Sequence, residues 1–178
     1  MKIHTKTLIR ELSKIEGGVK TGVEVGVWRG HNAYQLLEAF PDLHLTLVDD
    51  YGSGHVVHSK LTRYFTPSEA KEEAYRLLRS YKHRIRWLIH LSTEAAKRVD
   101  DGSFDFVFAD AGLGHSKEGT LIDIEAWILK VRSGGLFLGH DYEKRGHKYR
   151  GVKQAVDEYF GDRVNVAGNG SRIWWVHV

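Results

Sequence analysis

The sequence has no cysteine among its 178 residues. Disulfides, thiolate metal sites and cysteine nucleophiles are therefore excluded. The same absence is compatible with a cytoplasmic location. No apolar run approaches the roughly 18 residues that a membrane-spanning helix needs, and no N-terminal stretch reads as a secretion signal. Proline occurs only twice, and each instance marks a helix boundary: Pro41 stops one and Pro67 opens another. Strong charge bias is also missing. The net charge of +3, with histidine neutral, is too mild for a dedicated nucleic-acid surface. No GxxxxGK[ST] and no GxSxG is present, which removes P-loop NTPases and nucleophile-elbow hydrolases.

Apolar residues make up 42% of the chain, with five Trp, seven Phe and eight Tyr. That supplies a core for one domain spanning residues 1–178. Residues 1–20 form an N-terminal helical segment, with Ile3, Leu8, Leu12 and Ile15 on one side. Strand patterns follow at 21–27, 43–51, 83–91, 103–111 and in "GGLFLGH", alternating with helical ones at 31–40, 67–81, 93–99, 116–131 and 151–160. Residues 163–178 read as two strands around Gly168-Asn169-Gly170. The alternation predicts an α/β fold: a Rossmann-like doubly wound sheet of about seven strands. It is mostly parallel, with one antiparallel strand from the C-terminal hairpin.

In such sheets ligands bind at the carboxyl ends of the strands. Several strands here end in chemistry: Gly26 with its turn to Gly30, Asp49-Asp50, Asp110, and His140-Asp141. In "VEVGVWRGHNA" the first glycine permits a tight turn, and the second lets a ligand approach the amides that open the next helix. The spacing differs from the GxGxxG of NAD-binding folds.

The pattern E-x-G-x-x-x-G, followed by an acid at the end of the second strand, resembles class I S-adenosylmethionine-dependent methyltransferases. "HLSTEAAKRVDDGSFDFVFADA", "DIEAWILKVRSGGLFLGHDY" and "GVKQAVDEYF" resemble a small bacterial and phage O-methyltransferase-like branch carrying GHDY. The likeness covers about residues 20–160. It implies that Gly26 and Gly30 line the methionine and ribose of S-adenosylmethionine, that Glu24 holds the loop or the amino group, and that Asp49 accepts the ribose hydroxyls. Asp110 faces the same cofactor. On the adenine side the family often has an acid where this chain has Leu91, so Ser92 or Thr93 is left to serve.

The resemblance also implies a divalent metal, typically Mg²⁺, on Asp110 and Asp141. Neighbouring strands lie about 4.8 Å apart, so two acids there need a shared proton or cation. Two features count against the metal. Adjacent residues on an extended strand point to opposite faces, so only one of His140 and Asp141 is expected to reach the site. A third ligand common in the family is here Tyr142. Otherwise His140 or Asp141 is a general base without metal, or Asp141 only caps the following segment. His115, later than the histidine of the family pattern, either returns to the site or is a loop residue. Residues 52–67 are expected to form a lid. The basic stretch 143–153 is either a solvated loop or a contact for an anionic acceptor.

The function expected from these residues is methyl transfer to a hydroxyl of a small molecule, such as a sugar. A nucleic-acid methyltransferase is the weaker enzyme reading, because Asp110-Ala111-Gly112-Leu113 lacks the [DNS]-Pro-Pro-aromatic pattern of amino methylation. A non-catalytic S-adenosylmethionine-binding protein is the alternative from another class. A homodimer is one way for so short a chain to close its site. No membrane contact is expected.

Overall fold

Phe106, Val107 and Phe108 point alternately to the two faces of one strand, and all three are buried. A strand covered on both sides needs a layer of helices on each. The computed structural model describes residues 1–52, 66–111, 116–142 and 150–178 and shows both layers. The elements run α1 (Ile3–Leu12), β1 (Thr21–Val25), α2 (His31–Ala39), β2 (His44–Val48), α3 (Pro67–Leu77), β3 (Ile85–Leu88), α4 (Ser92–Ala96), β4 (Phe104–Ala109), α5 (Lys117–Trp127), β5 (Val131–Gly139), α6 (Arg150–Phe160), β6 (Asn165–Val166) and β7 (Trp174–His177).

The seven strands form one sheet in the order β3-β2-β1-β4-β5-β7-β6. The pairs among β1 to β5 are parallel. β7 inserts antiparallel beside β5, and β6 pairs antiparallel with β7. The expected fold is the one observed. The chain leaves β1 in one direction for β2 and β3, then returns to build β4 and β5 on its other side. That reversal opens a crevice at the carboxyl ends of β1 and β4, where ligands of such sheets sit.

One core layer packs Leu8 and Leu12 of α1 and Leu36 and Leu37 of α2 against Leu45, Leu47, Phe106, Phe108, Leu136 and Leu138 of the sheet. The opposite layer packs Ile124, Trp127, Val152, Val156 and Phe160 against Val23, Val25, Val107, Phe137 and Val176. The period-2 alternation of side chains assigns each residue to its layer. Glu24 and Asp110 share the register of the first layer, and so does His140.

Ile3 is 51% exposed, while Leu8, Leu12 and Ile15 are buried. The apolar side expected of the N-terminal helix is thus buried only from Leu8 onward. The 67–81 and 83–91 patterns are both shortened, because Arg79–Arg84 tightens into a 3₁₀ turn between them. α3 begins at a full capping box, with Thr66 and Glu69 exchanging side-chain and backbone bonds and Pro67 in the first turn. No helix of the described residues is long and apolar enough to cross a membrane. Of the expected lid, residues 53–65 lie outside the described residues, as do His115 and the stretch 143–149.

Candidate active site

The turn after β1 is fixed from three sides. Gly26 has φ +92°, and a Cβ there would lie 2.7 Å from the Asp110 carbonyl oxygen, so only glycine lets this turn approach the end of β4. Asp49, just past β2, clamps the same turn. Its Oδ2 accepts from the amides of Val27 (2.9 Å) and Trp28 (2.8 Å), and its Oδ1 accepts from Tyr51 (2.8 Å). The Tyr51 hydroxyl donates to the Trp28 carbonyl at 2.9 Å. Arg29 grips Glu73 of α3 with two bonds of 2.5 and 2.6 Å. Burial pushes the Asp49 carboxyl up in pKa, and the three amide donors oppose that shift.

Gly30 (φ +73°) ends this turn. A Cβ on it would sit 3.1–3.2 Å from Leu78 and Ala74, so its bare face accommodates the helix behind it. Its amide donates to the Val27 carbonyl. Gly30, at the N-cap, has no side chain with which to cap α2, and the helix's first turn carries no acid. The amides that open α2 therefore receive no cap from Gly30 and could hold an anionic group.

Glu24, on β1, is 2% exposed. Its Oε1 accepts from Asn32 Nδ2 at 3.2 Å, and its Oε2 is buried without a hydrogen-bond partner among the described residues. Burial raises its pKa to about 8, and Asp110 and Asp49 add to the rise. Across the crevice, Ser92 Oγ accepts the Trp127 indole N–H at 2.8 Å, which ties α4 to α5. Thr93 is half-buried beside it. Leu91 is 43% exposed just before α4.

At the ends of β4 and β5 the structure gathers Asp110, His140 and Asp141. One ligand atom from each lies within 4.8 Å of the others. His140 Nδ1 is 3.6 Å from Asp110 Oδ1 and 3.2 Å from Asp141 Oδ1. This corrects the expectation that only one of His140 and Asp141 reaches the site. Asp141 adopts φ +61°, so the strand is no longer extended there, and both neighbours turn to the same point. Burial alone would lower the His140 pKa, but Asp110 and then Asp141 carry it above the ordinary value. Tyr142 turns away toward α6, where its hydroxyl donates to Asp157 at 2.6 Å and accepts from Lys153 at 3.0 Å. It therefore anchors the strand end to a helix.

Two neighbours of this cluster escaped sequence reasoning. The His4 ring of α1 packs against the His140 ring, tilted by 60° with centroids 5.1 Å apart. Burial, and then the charge of His140, lower its pKa. Arg172, in the turn before β7, places Nη1 3.7 Å from Asp141 Oδ1. Both come from the far ends of the chain, and no local pattern marks them. The glycines at 168 and 170 located the turn but not the side to which it folds.

The strand order, the clamped glycine turn and the acids closing β2, β4 and β5 define a class I methyltransferase type of Rossmann-like fold. The sequence profile of a family described as a methyltransferase domain matches residues 23–142, and the chain belongs to that family. No protein of curated function matches the sequence significantly. Among solved structures, a Corynebacterium glutamicum protein superposes with a TM-score of 0.71 at 17% identity, covering 99% of this chain and 81% of that one. A Staphylococcus aureus protein named as a caffeoyl-CoA O-methyltransferase gives 0.72 at 14% identity, with 100% and 84% covered. The O-methyltransferase TomG of Streptomyces achromogenes, solved with S-adenosylmethionine, gives 0.63 at 16% identity, with 100% and 81% covered. At these identities the likeness is one of fold.

Proposed function

We propose that this methyltransferase domain moves the methyl group of S-adenosylmethionine to a hydroxyl of a small molecule. The observation that carries the reading is His140 set between two carboxylates, one glycine turn away from the uncapped start of α2. Methyl transfer is an in-line displacement at a sulfonium. The protein has to align an acceptor oxygen on the methyl carbon and take its proton.

The chain suits the cofactor along the whole crevice. The α2 amides take the methionine carboxylate. Glu24 Oε2, buried and without a hydrogen-bond partner among the described residues, gives up its proton beside the cofactor's ammonium and accepts from it. Asp49 holds the turn and keeps one free lone pair on Oδ1 for a ribose hydroxyl, with Asp50 beside it. Exposed Leu91 gives the adenine an apolar surface, and Thr93 a hydroxyl. Asp110, at the switch point, faces both the sulfonium and the acceptor.

His140 is the general base, and Asp110 and Asp141 stabilise the imidazolium that forms. The same two acids and one imidazole also suit a divalent cation. The donors lie within 4.8 Å of one another, and the Asp110 side chain is 34% exposed on the open side. Held there, such an ion would lower the pKa of the acceptor hydroxyl. GHDY marks this acid-and-histidine strand end with its Tyr142 anchor.

Calorimetric titration with S-adenosylhomocysteine tests the cofactor half of the proposal. Binding that weakens in Asp49→Ala is expected, whereas preference for NAD would overturn the reading.

A further inference from the structure

Arg172 occupies an expensive position. Its backbone has φ +60°, the left-handed region, which residues other than glycine adopt only under strain. The conformation is imposed from all sides. The Arg172 carbonyl accepts the Tyr142 amide at 3.2 Å. Asn169 Oδ1 accepts the Ser171 amide at 3.0 Å, and Asn169 Nδ2 donates to Thr7 Oγ1 at 2.9 Å. The last bond stitches the turn to α1, whose His4 meets His140 while Arg172 meets Asp141.

Glycine would hold this turn without strain, so the side chain needs a reason. Its contact with Asp141 is not a sufficient one. At 3.7 Å it is no hydrogen bond, the side chain is 41% exposed, and Asp141 already has His140 at 3.2 Å. The pair joins an exposed guanidinium to a buried carboxylate, and at that length it engages at most one of the five guanidinium N–H donors. Among the described residues the guanidinium makes no hydrogen bond, so its forked donors remain available at the mouth of the site. The strand order places it on the β5–β7 side, away from the glycine turn on β1. On the methyl-transfer reading that is the acceptor's side.

We infer that Arg172 selects an acceptor carrying an anionic group, a carboxylate or a phosphate, near the hydroxyl to be methylated. The fork of a guanidinium matches the paired oxygens of either group. His4 packs against His140, with Lys2 close enough for its charge to be felt there. The inference rests on the methyl-transfer reading for the identity of the acceptor, but not for the binding of the anion.

Matched probes test it by calorimetry on the full chain: 3-hydroxybenzoate against phenol, and glucose 6-phosphate against glucose. At least one anionic member should bind about ten-fold or more tightly than its neutral partner, the scale of a hydrogen bond to a charged group. Arg172→Gly, which relieves the backbone strain and so keeps the fold, should erase that preference and leave the neutral partner's affinity unchanged. Arg172→Lys should keep part of it. Preference in the first pair alone identifies a carboxylate, and in the second alone a phosphate. No preference in either pair, or a preference that survives Arg172→Gly, overturns the inference. S-adenosylhomocysteine is titrated separately. Its failure to bind would sink the methyl-transfer reading while the anion preference is still read on the protein alone.

Discussion

Asp49 and Trp28 join two strand ends: the Trp28 amide donates to Asp49 Oδ2 at 2.8 Å, and the Val27 amide shares the same oxygen at 2.9 Å. The acid after β2 is thus part of the glycine turn's own structure before any ligand arrives. Asp49→Ala leaves three amides without an acceptor, which should destabilise the fold by about 1–3 kcal/mol. It should also weaken S-adenosylmethionine binding by roughly 1.5–3 kcal/mol. Thermal melts and calorimetry on the one variant read both effects. Loss of affinity with unchanged stability would mean that the acid only touches ligand.

Glu24 gives the protein a pH-dependent stability. Burial raises its pKa from 4.5 to about 8 in the folded state. Between those values the folded protein holds a proton that the unfolded chain has released. Stability is therefore full below about 4.5 and falls as pH rises toward 8. Glu24→Gln, neutral throughout, should flatten that part of the profile and melt higher than the wild type at pH 8. Parallel profiles for the two proteins would show that Glu24 is ionised in the fold.

Asp110 and Asp141 should together govern any metal response. Either acid changed to Asn should weaken Mn²⁺ binding, measured by titration, and leave S-adenosylhomocysteine binding nearly intact. If activity resists chelator, the base alone carries the step, and His140→Ala should cost about 10²–10⁴-fold in turnover. Chelator resistance with a fully active His140→Ala would make this strand end structural.

Tyr142→Phe removes one bond to Asp157 and one from Lys153. A loss of roughly 1–2 kcal/mol is expected in chemical denaturation, with little change in S-adenosylhomocysteine affinity. An unchanged midpoint would show that the Tyr142 hydroxyl does not hold α6.

The sheet was legible because buried parallel strands are continuous apolar runs: "FDFVF" and "LFL" became β4 and the heart of β5. Helix ends were less so. A 3₁₀ turn at Arg79–Arg84 follows from how α3 meets β3, not from residues within it. Asp110 and Asp141 could be placed together from strand order alone. The convergence of His140 with them could not, since it depends on the left-handed backbone of Asp141, which period-2 reasoning does not contain. His4 and Arg172 were illegible for a simpler reason: the fold, not the local sequence, brings the two termini to the same edge.

Methyl transfer to oxygen at this strand end, as proposed, is open to direct assay. The most direct measurement incubates the protein with a fraction of small metabolites and S-adenosylmethionine carrying a deuterated methyl group, then searches for labelled products by mass spectrometry. The account predicts a product with the label on an oxygen, formed by the wild type and lost in both His140→Ala and Asp141→Asn. A label on nitrogen, or bound cofactor with no labelled product from any fraction, would contradict it.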